Sequence, residues 1–237
     1  FRSATVPLQE QSMLLIVSLR GGDDAGAAMR MEAGTLDAIL IVTESLSTEV
    51  RIPRQVTDEA GDIPWGISLE GATGAEMEQL REKGCDFLVF GMAATPASLL
   101  REKEIGKVLK VDGSLGDGLI RGIDQLPIDA LLINGDEGGA SSLTVQQLMD
   151  CQRFANLVVR KPLLLAAPPS LADGDVEILW EMGVDGIVVE DGKYPSEKLL
   201  QLRQAIKALP PSARRSRGKA EALLPYMEGE VSPEEEV

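Results

Sequence analysis

The sequence predicts an α/β protein built as a single (β/α)8 TIM barrel. Three observations predict it. Eight short aliphatic runs recur along the chain, and helix-period segments lie between most of them. The runs are mainly Leu, Ile, Val and Ala, and with aromatic residues only 3% of the chain the core must be built largely from these. Strands buried on both faces of a parallel sheet read this way, and 237 residues suits one such barrel.

The runs fall at 13–19, 38–42, 63–69, 87–90, 108–111, 130–133, 163–166 and 186–189. Each is four to seven residues of strand-forming type. Helices are expected over 75–83, stopped by Gly84, and over 141–155 after a Gly-Gly turn. Two more are expected over 175–182, stopped by Gly183, and over 196–208, opened by Ser196 and closed by Pro210. A small repeat links three helix ends to strand starts: Gly34 with Asp37, Gly84 with Asp86, and Gly183 with Asp185. The Gly supplies a left-handed cap, and the Asp sits at the outer, N-terminal mouth of the next strand.

Two connections fit the pattern less well. The second, 46–62, contains Pro53 and is weakly helical; the fifth, 112–127, is Gly-rich and leaves room for a short helix. The expected organisation is a lead-in over 1–12, a barrel over 13–209 and a partly disordered C-terminal extension over 210–237. That extension is basic, then acidic, and suits a homo-oligomer contact or a protein partner. A chain opening on Phe1 rather than Met fits a fragment, a processed form or part of something longer.

Charge and composition narrow the function. A net charge of −15 and the scarcity of aromatics argue against nucleic-acid or membrane partners. Cys85 and Cys151 lack metal-ligand spacing and read as reduced, buried thiols of a cytoplasmic protein. No histidine is present, so histidine-based triads, imidazole acid–base chemistry and histidine metal ligands are excluded.

Barrel chemistry collects at the C-terminal ends of the strands. Polar residues begin there at a similar depth in six of the eight strands. Alternation puts Ser18 with Arg20, Ser68 with Glu70, Lys110 with Asp112, and Asn134 with Asp136 on common faces. If these faces point inward, Lys110 and Glu70 are the candidate catalytic pair, the Lys as base or Schiff-base nucleophile and the Glu as proton shuttle. Arg20, Asn134, Glu44 and Glu190 are the candidate ligand-binding residues. The bland reading is that the same groups form ion pairs that plug the barrel top. Asp136-Glu137 and Glu190-Asp191 are paired loop acids that read as solvated, and no metal site is expected. Gly21-Gly22-Asp23-Asp24 is at most a weak anion nest.

Four segments carry a family resemblance: GCDFLVFG at 84–91, IGKVLKVD at 105–112, IDALLINGDEGG at 128–139 and KPLLLAAPPSLADGDVEILWEMGVDGIVVE at 161–190. In order they resemble the flavin-dependent nitronate monooxygenase barrels and, more loosely, the IMP dehydrogenase-like barrels. The resemblance implies an FMN site. Glu137, Gly138 and Gly139 match that family's pattern in part, and Ala172-Asp173-Gly174 matches it well. Ala140 stands where its histidine would be, and Pro168-Pro169 replaces its phosphate-gripping glycines with residues that have no N–H. No cofactor is therefore expected, with FMN kept as an alternative. The leading expectation is a divergent barrel without intact flavin chemistry, acting as a small-molecule-binding, scaffold or interaction protein. A lyase- or isomerase-type enzyme using Lys110 and Glu70 is the alternative, and an FMN-dependent oxidoreductase the second; whether the chain is an enzyme at all is left open.

Overall fold

The computed structural model describes residues 12–20, 34–43, 63–135 and 140–210. The eight aliphatic runs are strands: β1 (Leu14–Arg20), β2 (Ala38–Val42), β3 (Trp65–Ser68), β4 (Phe87–Gly91), β5 (Gly106–Asp112), β6 (Ala130–Asn134), β7 (Leu163–Ala166) and β8 (Gly186–Glu190). They pair in chain order, all parallel, and β8 closes on β1 to complete the barrel. The described helices are α1 (Gly74–Glu82), α2 (Asp117–Ile123), α3 (Val145–Leu157), α4 (Asp173–Glu181) and α5 (Ser196–Lys207). This is the expected (β/α)8 fold.

The irregular connections are distributed differently from the sequence reading. The fifth carries the short α2, as its Gly-rich sequence suggests, while the second lies mostly outside the described residues. The fourth carries only a 3₁₀ turn, Ala97–Arg101, entered from the extended Pro96. Elsewhere the local chemistry is regular. Thr73 and Thr144 open α1 and α3 with capping boxes to Glu76 and Gln147. Gly84 and Gly183 follow α1 and α4 with φ of 75° and 89°. Behind them, Cys85 and Val184 donate to the carbonyls of Leu80 and Leu179, the six-residue closure of a glycine-capped helix.

The aspartate repeat has four members rather than three. Asp37, Asp86, Asp129 and Asp185 each precede an even-numbered strand. Each carboxylate accepts from a backbone N–H of the preceding odd strand: Leu15 at 2.8 Å, Trp65 at 3.0 Å, Lys107 at 2.7 Å and Leu163 at 2.8 Å. Each aspartate's own N–H donates to the carbonyl of that same residue, at 2.7–3.0 Å. Four reciprocal clamps thus fasten the N-terminal end, one per pair of strands. Asp37 is also gripped by Arg203 of α5 through two hydrogen bonds of 2.8 and 3.0 Å, which ties the last helix to the second strand.

The clamps set a fourfold register, and that register orders the interior. Alternate residues of each strand face inward and stack in levels of four, with odd and even strands taking turns. The lowest level is Ala38, Phe87, Ala130 and Gly186, the next Ile16, Gly66, Val108 and Leu164, and the third Leu40, Val89, Leu132 and Val188. These twelve positions form an inner core separate from the larger core between sheet and helices. Gly66 and Gly186 are required there. A Cβ on Gly66 would run into both the ring and the backbone carbonyl of Phe87, and one on Gly186 would lie 2.8 Å from Leu164.

Candidate functional site

Above the third level the interior changes character. The fourth level is Ser18, Ser68, Lys110 and Ala166, and the fifth is Val42, Gly91, Asn134 and Glu190. Lys110 is the one long side chain of its level, and its three companions are small. Beneath it lie Val89, Val108 and Leu132, all buried. Its ammonium stands 4.0 Å from Glu70, close enough for charge attraction but too far for a hydrogen bond. Gly91 makes that approach possible. It lies between the two in β4, paired with Lys110, and a Cβ there would fall 2.5 Å from Glu70 Oε2. Lys110 is about one-third exposed, and its Nζ makes no hydrogen bond among the described residues.

A second group occupies the β8–β1 side of the mouth. Arg20 reaches Glu190 at 3.0 Å, and Lys193 reaches the other carboxylate oxygen at 2.7 Å. Burial works against the charge on Glu190. Hydrogen bonds and charge from Lys193 and Arg20 outweigh it and hold the carboxyl below its ordinary range. This carboxylate is committed to two cations, which leaves the Glu190-Asp191 pair poorly disposed to hold a metal. No cluster of three or more metal-ligating side chains occurs among the described residues.

The structure therefore pairs Lys110 with Glu70, and Arg20 with Glu190. Asn134 makes no bond to either pair among the described residues; it borders a cavity of about 310 Å³ lined also by Gly113, Ile133, Thr144, Gln147 and Asp150. Glu44, the Asp136-Glu137 pair and the Gly21–Asp24 turn lie outside the described residues. Sequence reasoning missed Lys193, whose i,i+3 spacing from Glu190 was the available signal. It also missed Gly91, whose role depends on cross-strand register. Both cysteines are buried and free, and burial pushes each thiol up to about 12.

Pro168, placed by the resemblance where a phosphate grip is expected, has a structural use. Its carbonyl accepts the hydroxyl of Tyr194, which is itself buried. Among the described residues, no helix is long and apolar enough to cross a membrane.

No family model matches the chain, and no curated protein matches its sequence. Solved structures do match in fold. The tryptophan synthase α-subunit of the hyperthermophile Pyrococcus furiosus is 13% identical, with a TM-score of 0.59, over 85% of this chain and all of that one. Two mutants of the same subunit give TM-scores of 0.57 and 0.60 at 14% and 13% identity. At that identity the likeness establishes the fold.

These neighbours correct the resemblance to flavin-dependent nitronate monooxygenase and IMP dehydrogenase-like barrels. The physical reason is visible in the segments that carried it. Residues 84–91 hold a glycine cap, an aspartate clamp and β4; 105–112 hold β5; 128–139 and 161–190 hold two further clamps and three strands. They are what closes this barrel, and barrel closure alone accounts for the likeness. The FMN-dependent oxidoreductase reading rested on that resemblance and falls with it.

Proposed function

We propose that this chain binds a small molecule at the C-terminal mouth of the barrel. Lys110 and Glu70 contact the ligand, and Arg20, Asn134 and Glu190 stand around it. The observation that carries the reading is the composition of the fourth level. Two serines and an alanine surround one lysine, so the other side chains of the level are short, and among the described residues the ammonium's hydrogen-bond donors are uncommitted. A barrel merely plugged by ion pairs would engage that ammonium closely, as Glu190 is engaged by Lys193 at 2.7 Å. The same pair supports an enzymatic reading of lyase or isomerase type, since a lysine and a carboxylate together supply a nucleophile and a proton carrier. The fold neighbours are named as subunits of a synthase, which fits both a small-metabolite ligand and a protein partner.

The test is a panel of small polar metabolites screened by ligand-induced thermal shift and by NMR. At least one should stabilise the native chain, by about 2.7 kcal/mol when supplied at a hundred times its Kd. Lys110→Met should lose the response while keeping its far-UV spectrum. A response unchanged in Lys110→Met, or no response from any compound, would overturn the reading.

A further inference from the structure

We infer that Lys110 condenses with the carbonyl group of its ligand, so that the ligand class is a small aldehyde or ketone held as an imine. The inference rests on the mouth being a ligand site and adds what that ligand must be.

Four observations converge. Among the described residues the Lys110 amine makes no hydrogen bond, and its ion pair with Glu70 is loose at 4.0 Å. Lys110 and Glu70 together are neutral, so the pair by itself does not select an ionic ligand. The floor of Val89, Val108 and Leu132 offers an apolar surface to a short carbon skeleton. With no histidine in the chain, a carboxylate is suited to carry protons near Lys110, and among the described residues Glu70 is the one within 4.0 Å of its nitrogen.

The step balances as follows. The ammonium gives a proton to Glu70, and the freed nitrogen lone pair attacks the carbonyl carbon. The C=O π pair moves to oxygen, which takes the proton back from Glu70 and becomes a hydroxyl. The nitrogen, now carrying two protons and a positive charge, passes one to Glu70. Glu70 returns that proton to the hydroxyl, the C–O bond breaks, and water leaves as the nitrogen lone pair forms the C=N bond. Lys110 begins with three protons and ends with one, the other two leave in the water, and Glu70 is a carboxylate at both ends. The single positive charge is on nitrogen at the start, as ammonium, and at the end, as protonated imine. Glu70 moves protons only; the small residues Ser18, Ser68 and Ala166 leave room for the tetrahedral intermediate.

Borohydride, which delivers hydride to the imine carbon, makes the bond permanent and readable by mass. The full chain is incubated with glycolaldehyde or dihydroxyacetone, reduced, digested and mapped. The expected result is one adduct, on Lys110, formed at least about tenfold faster than at the exposed Lys83 or Lys103. Lys110→Arg keeps the charge and should abolish the adduct without changing the thermal midpoint. Glu70→Gln should slow trapping by about a hundredfold. Adducts spread evenly over surface lysines, or trapping undiminished in Lys110→Arg, overturn the imine; an unchanged rate in Glu70→Gln overturns the role of Glu70. If the metabolite panel yields a Lys110-dependent ligand but no adduct traps, the imine fails and the binding site stands. If neither appears, both fail.

Discussion

Each clamp aspartate accepts from a strand-entry N–H that is taken out of bulk water by the barrel's lower end. Removing the carboxylate strands that donor. Asp86→Ala should therefore cost about 1.5–3 kcal/mol, read from urea midpoints at unchanged slope. Asp86→Asn, which keeps an acceptor oxygen, should cost less. Glu190 gives a pH signature instead. Its folded carboxyl lies below its ordinary value, held there by Lys193 and Arg20 against the opposing effect of burial. Its stabilisation is thus fully present above that ordinary value and fades as pH falls through the lowered one. Glu190→Gln should be less stable than the native chain at neutral pH, and the gap should narrow as pH falls below the ordinary carboxylate value and through the lowered one. At this scale, three of the four clamps are legible in the sequence because a glycine announces them. Asp129 is not, because Leu126-Pro127-Ile128 stands where that glycine would be. Lys110 and Glu70 are legible from strand alternation. The gap at Gly91 that lets them approach is not, since it depends on which residue of β4 lies beside Lys110.

Strands are the most legible elements, and for a physical reason. A parallel strand buried on both faces has no polar positions to confuse the pattern, so all eight runs match their strands to within two residues. The 3₁₀ turn at Ala97–Arg101 escapes because five residues are too few for a helical period to show. Packing inside the barrel is also hidden from a linear reading. Gly66 looks like a weak point in β3, yet it is the partner that allows Phe87 to fill the lowest level. Gly66→Ala should destabilise by about 1–3 kcal/mol through overpacking, measured by calorimetry. Adding Phe87→Leu to the same chain should recover part of that loss. The recovery should stay partial, because the Phe87 carbonyl oxygen also lies 2.5 Å from the added Cβ.

The whole molecule separates its tasks by end. The four clamps lie at the N-terminal face, the lysine–glutamate pair at the C-terminal face, with three apolar levels between them. Stability and ligand response should therefore vary independently. Asp86→Asn should lower the urea midpoint and leave borohydride trapping intact at temperatures where the chain is folded. Lys110→Met should abolish trapping and change stability by no more than about 0.5 kcal/mol. A clamp substitution that removed trapping from a fully folded chain would contradict this division. The fold could be read from the sequence because every strand contributes to it; the site is harder to read because it is held by a few residues from different strands.

The fourfold register also makes the mouth behave as a dial with four stops. Lys110, Gly91 and Glu70 occupy one stop; Ser68, Val42 and Arg20 occupy the stop before it, on equivalent backbone. A chain carrying Ser68→Lys, Val42→Gly and Arg20→Glu, with Glu190→Gln to avoid facing two carboxylates and Lys110→Ser to vacate the original position, should carry its amine a quarter-turn around the barrel axis. Where the reactive nitrogen points is then a matter of register that can be advanced or set back one stop at a time, with the scaffold beneath unchanged.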